Sequence, residues 1–147
     1  MATGAADDGW GARRAVLFYD GECGLCNASV RFLLRRDRRA VLRFASLQSP
    51  LGQRTLRRLG LPTEDFDSMV FMPDLDGGEF HLRTDGVTAV LQALGGRWGA
   101  VGRWARRVPA PWRDAAYRLV ARLRYRIWGE YKPTPLPDPA WASRFLA

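Results

Sequence analysis

Apolar and polar positions recur along this chain with a period that changes from one stretch to the next. Ala15–Tyr19 (AVLFY) is an unbroken apolar run, the pattern of a strand buried on both faces. From Gly24 the spacing lengthens. Leu25, Cys26, Val30, Leu33 and Leu34 share one side of a helix, Ala28 and Phe32 extend that side, and Arg31 and Arg35 form a narrow polar stripe. The basic cluster Arg35–Arg39, interrupted by Asp37, ends it. Val41–Leu47 sets Leu42 and Phe44 opposite Arg43, which predicts a second strand. Strand, helix and strand over about thirty residues make a βαβ unit with a right-handed crossover. Ser49-Pro50 starts the next helix, with Ser as cap and Pro in the first turn, and Gly60 stops it after Leu51, Leu56 and Leu59.

Ser68–Met72 and Glu79–Arg83 read as two strands around Pro73 and Asp76-Gly77-Gly78, an antiparallel hairpin. Thr84 then caps a helix carrying Val87, Val90, Leu91 and Leu94, closed by Gly95-Gly96. The order β-α-β-α-β-β-α is that of the thioredoxin fold. The expected architecture is therefore α/β, thioredoxin-like, with a helical C-terminal extension. Residues 1–14 form a loose N-terminus, 15–96 the core, and 97–147 a basic extension packed on it, one domain overall.

Within the extension, Arg97–Val108 predicts a short helix with Trp98, Val101 and Trp104 on one side, broken by Pro109 and Pro111. Trp112–Trp128 is the longest helical pattern. Trp112, Ala116, Leu119, Val120, Leu123 and Ile127 fall within one arc. Arg118, Arg122 and Arg126 flank one edge of it, and Arg113 and Arg124 the other. Tyr117, Tyr125 and Trp128 lie on the far side. The expectation is that the Leu arc packs on the core with the arginines as solvated flanks. The tail Lys132–Pro139, extended by its four prolines, then covers the aromatic side, and Trp141 and Phe145 anchor a final turn.

Length and composition add three constraints. At 147 residues and 47% hydrophobic content the chain can bury a real core, and no apolar run reaches the length of a membrane span. The first fourteen residues carry Asp7 and Asp8 and no apolar core, unlike a secretory signal, so a cytoplasmic protein is expected. The net charge of +8 is local: residues 97–147 hold ten Arg and Lys132 against Asp114, Glu130 and Asp138, while residues 1–96 balance.

The chemistry enters with the only two cysteines, Cys23 and Cys26, at a strand-to-helix turn. At a helix start the first sulfur meets unpaired N–H groups and the positive end of the dipole, which favour the thiolate that attacks disulfides. The second, one turn in, reaches back to close a disulfide. On helical spacing Cys26 faces inward and Cys23 is the more open. Asp20 is either a proton acceptor for Cys26 or a turn residue. Glu22 and Asp20 oppose a thiolate, with Arg31 and Arg35 one and two turns away. A zinc site wants four ligands; one pair plus the lone His81, expected on a strand, leaves only zinc shared between two chains.

The segment Tyr19-Asp20-Gly21-Glu22-Cys23-Gly24-Leu25-Cys26-Asn27 resembles the signature of the DCC family of predicted thiol-disulfide oxidoreductases. Leu42–Ala45, the Thr84–Leu94 helix start, Leu123–Gly129 (LRYRIWG) and the closing Arg144-Phe145-Leu146 resemble it too. The resemblance implies a thioredoxin-like fold and a dithiol/disulfide site at Cys23 and Cys26, with Asp20 as the acidic residue of the motif. Two departures stand out. Many relatives carry a further Cys where this chain has Glu130-Tyr131-Lys132-Pro133. Thioredoxins place a cis-Pro where this chain has Asp67-Ser68, an absence the family shares, so thioredoxin-style docking of protein substrates is not expected to carry over.

The expected function is a dithiol/disulfide oxidoreductase, with Cys23 as nucleophile and Cys26 as resolving thiol. It acts on a thiol or disulfide substrate, protein or small molecule, with an outside reductant and no metal or organic cofactor. The alternative is a non-enzymatic adaptor whose Arg/Trp-rich helices, through Arg118, Arg122 and Arg126, bind an acidic partner, nucleic acid or an anionic membrane.

Overall fold

The computed structural model describes residues 15–64, 69–127 and 139–146. Expectations for 1–14, Asp67-Ser68, Trp128 and 129–138 lie outside these residues. The core elements follow the expected order: β1 (Ala15–Tyr19), α1 (Gly24–Arg36), β2 (Leu42–Ser46), α2 (Pro50–Leu59), β3 (Val70–Met72), β4 (His81–Leu82) and α3 (Arg83–Leu94). Then come α4 (Gly96–Ala105), α5 (Ala110–Ile127), a 3-10 turn at Pro139–Arg144 and β5 (Phe145–Leu146). The sheet runs β4-β3-β1-β2-β5. β1 pairs parallel with β2, and antiparallel with β3, which pairs antiparallel with β4. This is a mixed α/β fold of thioredoxin-like order.

All five residues of β1 are buried, because helices cover both faces of the sheet. Ala15, Leu17 and Tyr19 join Val30, Leu33 and Leu34 of α1 and Val90 and Leu94 of α3 in one core. Val16 and Phe18 join Leu56 of α2 in the other. Ser49 caps α2 by accepting the Gly52 N–H at 3.0 Å, and Gly60 ends it in the left-handed region at φ 74°. A Cβ at Gly52 would stand 2.2 Å from the Ser46 carbonyl oxygen and 2.8 Å from that of Leu47. Backbone cannot yield there, so Gly52→Ala is expected to cost about 3 kcal/mol, read as a lower urea midpoint with an unchanged slope.

Several boundaries differ from expectation. α3 begins at Arg83, and Thr84 does not cap it; its hydroxyl donates to Asp114 Oδ1 at 2.6 Å. The face expected on α4 is split. Trp98 turns inward, edge-on to Phe32 with centroids 5.1 Å apart, while Val101 and Trp104 are exposed. α4 packs instead through Gly102, where a Cβ would meet the Thr88 carbonyl oxygen at 2.9 Å.

The chain closes with a strand rather than a turn alone: β5 pairs parallel with β2, and Phe145 packs on Phe44. A buried pair holds it there. Arg144 bonds the Asp37 carboxylate and donates from Nε to the Leu42 carbonyl at 3.0 Å. Asp37 also accepts the Val41 and Leu42 N–H groups at 3.1 and 2.8 Å.

The largest correction concerns α5. Its Leu arc does not pack on the core: Trp112, Leu119, Val120 and Ile127 are exposed. The opposite, polar side docks. Arg113 pairs with Asp85 at 3.1 Å, Asp114 accepts from Thr84, and the Tyr117 hydroxyl accepts the Met69 N–H at 3.2 Å. Hydrogen bonds to the rim of α3 and β3, not apolar burial, set the orientation of this helix.

Candidate active site

The strand β1 delivers Asp20 to the C-terminal edge of the sheet, and the turn Gly21–Cys23 leads into α1. Cys23 is the residue that caps α1, in extended backbone at φ −94° and ψ 127°. Its N–H donates to the Asp20 carbonyl at 3.3 Å, and its own carbonyl accepts the Asn27 N–H at 3.1 Å and Asn27 Nδ2 at 2.9 Å. Asn27 Nδ2 also donates to the Gly21 carbonyl at 3.0 Å, so one amide ties both ends of the turn.

The exposure of the two sulfurs reverses what helical spacing suggested. Cys23 has 0% of its surface exposed, and Cys26 is half-buried against the edge of the core. Both are free thiols. The Cys26 thiol is pushed up to about 12, by burial first, then by the charge of Cys23 and the hydrogen bond to it, with a smaller push from Asp20. Arg124 pulls the other way.

That arginine comes from α5, far along the chain. Its Nη1 donates to Cys26 Sγ at 3.8 Å, and its Nη2 stands 3.4 Å from Asp20 Oδ2. Both side chains are nearly enclosed, at 12% and 9% exposed, so their attraction is weakly screened. The other Asp20 oxygen accepts the Glu22 N–H at 3.0 Å and Gln48 Nε2 at 2.9 Å. Gln48 Oε1 in turn accepts the Gly21 N–H at 2.9 Å. The carboxylate thus holds Arg124 with one oxygen and the turn with the other.

The structure brings together Asp20, Cys23 and Cys26, as the motif suggested, and adds Arg124 and Gln48. The nearby cations in sequence, Arg31 and Arg35, are not the ones at the sulfur. Arg124 was legible only through the LRYRIWG stretch that contains it; nothing marked Gln48. His81 is remote from the pair in role, bonding Glu79 at 2.8 Å on β4.

The Cys26 shift gives a signed prediction. A thiol at about 12 is almost wholly protonated at neutral pH, so its alkylation should climb steadily from pH 8 to 11 with no plateau near 9. Asp20→Asn removes a charge that favours the proton and releases Arg124 to favour the thiolate. Site-resolved mass spectrometry should therefore show faster alkylation of Cys26 at pH 8 in that variant.

Comparison with known proteins fits this geometry. The DCC1-like thiol-disulfide oxidoreductase family matches residues 17–130. The chain is 39% identical over 131 residues to the uncharacterized protein YuxK of Bacillus subtilis, covering 89% of this chain and 93% of that one. It is 28% identical over 117 residues to a chloroplastic DCC family protein of Arabidopsis thaliana, covering 80% of this chain and 66% of that one. No solved structure matches.

Proposed function

The chain belongs to the DCC1-like thiol-disulfide oxidoreductase family, and from that membership we propose that it is a dithiol–disulfide oxidoreductase whose reacting atoms are the sulfurs of Cys23 and Cys26. The observation that carries the reading is the pair of free thiols at the start of α1, with Arg124, anchored on Asp20, against the Cys26 sulfur.

Exposure favours Cys26 as the attacking sulfur, but ionisation opposes it. Moving a thiol from 9.0 to about 12 lowers its thiolate fraction at neutral pH about 1000-fold. Cys23 is therefore the nucleophile, and the groups over it shift to admit substrate. The Cys23 thiolate bonds one sulfur of a substrate disulfide, the substrate S–S bond breaks, and the leaving thiolate takes a proton. In the mixed disulfide Cys23 no longer carries charge, so one cause that held the proton on Cys26 is gone. Arg124 remains to favour the Cys26 thiolate, and Asp20 accepts its proton. Cys26 then bonds Cys23 and expels the second substrate thiolate. The substrate gains two electrons, and the Cys23–Cys26 disulfide is returned to the dithiol by an outside thiol reductant.

Trapping tests the order of events. Cys26→Ser treated with a small aromatic disulfide is expected to accumulate one adduct, on Cys23, by mass spectrometry. An adduct that forms instead on Cys26 in Cys23→Ser, and not on Cys23, would reverse the roles.

A further inference from the structure

Among the described residues, every large apolar side chain exposed beyond 40% lies between residues 101 and 127. Trp112 is 72% exposed, Trp104 70%, Ile127 62% and Leu119 57%, with three valines of the same segment. The whole excess of positive charge falls in residues 97–147 as well. These two facts are independent, and they meet on α4 and α5.

Along α5, Trp112, Leu119 and Ile127 recur every seven or eight residues, so they lie on one arc. Arg118, Arg122 and Arg126 recur every fourth residue, all exposed, and form the edge of that arc. The polar side holding Tyr117 and Arg124 is already committed to the core. The outward face therefore needs a partner that is apolar within and anionic at its margin. A second copy would bring arginines against arginines. A polynucleotide offers phosphates but no apolar layer for Leu119 and Ile127. The boundary of a bilayer containing anionic lipid offers both, and an indole such as that of Trp112 sits well at that depth. Among the described residues no helix is long and apolar enough to cross a membrane, so α5 would lie along the surface.

We propose that the exposed face of α5 docks this protein on an anionic lipid surface, with Trp112, Leu119 and Ile127 entering the headgroup boundary and Arg118, Arg122 and Arg126 meeting lipid phosphates. The proposal is independent of the sulfur chemistry, so either can fail alone.

The test is flotation of the full chain with phosphatidylcholine vesicles, with and without phosphatidylglycerol. Binding is expected only with phosphatidylglycerol, weakening as salt rises, with a blue shift of tryptophan emission. The combined variant Trp112→Ser, Leu119→Ser, Ile127→Ser should bind at least about 100-fold more weakly. The combined variant Arg118→Gln, Arg122→Gln, Arg126→Gln should lose about 100-fold. All six positions are exposed, so both variants should fold, checked by circular dichroism, and keep wild-type dithiol turnover. No flotation at low salt would overturn the proposal. So would serine variants that float like wild type, or a dimer in solution that shields the tryptophans. Polynucleotide binding in place of vesicle binding would overturn it too.

Discussion

Cys23→Ser is expected to lower dithiol-dependent reduction of a disulfide about 1000-fold or more, leaving no turnover above the solution reaction. The size of the effect follows from the roles. Without Cys23 the only thiol is Cys26, which is held protonated by burial and has no partner to close a ring. Loss of Cys23 also removes the charge and hydrogen bond that raise Cys26, so the remaining thiol should become more reactive to alkylation while turnover disappears. Unfolding would also bare Cys26, so a circular dichroism spectrum matching wild type is what separates a catalytic loss from a folding defect. Arg124→Gln should act more mildly. It removes the cation that favours the Cys26 thiolate and should slow resolution of the mixed disulfide more than its formation. Wild-type turnover in Cys23→Ser would remove the proposed function.

Asp37→Ala is expected to cost about 3–5 kcal/mol of stability, the largest effect of any single change away from the sulfurs. Asp37 has 1% of its side chain exposed and Arg144 9%. Burial pushes the Arg144 guanidinium below its ordinary value, and Asp37 draws it back. Removing the carboxylate strands a buried cation and also orphans the Val41 and Leu42 N–H groups at the start of β2. Urea unfolding would read the loss directly. The double variant Asp37→Leu with Arg144→Met should be more stable than Asp37→Ala, because it strands no charge. A loss below about 1 kcal/mol for Asp37→Ala would mean that the pair does not hold β5 on the sheet.

These two sites show where the sequence speaks and where it does not. Periodicity located β1, α1, β2 and α2 because each is decided locally, by apolar spacing, the Ser49 cap and the Gly60 stop. The cysteine turn was legible for the same reason. Asp37 read as a break in a basic cluster, because its partner is Arg144, 107 residues later. Arg124 read as one edge of an amphipathic helix, because its partners Asp20 and Cys26 lie about a hundred residues earlier. The α5 helix misled most. Its apolar arc pointed to the core by the usual rule, yet polar contacts from Arg113, Asp114 and Tyr117 turn that arc outward. A hydrophobic pattern reports that a face wants cover and does not say what covers it.

The central claim is a reversible bond between the two sulfurs. Equilibration of the protein with mixtures of reduced and oxidised glutathione, quenched and mapped by mass spectrometry, tests it most directly. The account predicts one two-electron transition from free thiols to an intramolecular Cys23–Cys26 disulfide, reversed by a dithiol. Thiols that stay free at every glutathione ratio, or that form only bridges between chains, would contradict it.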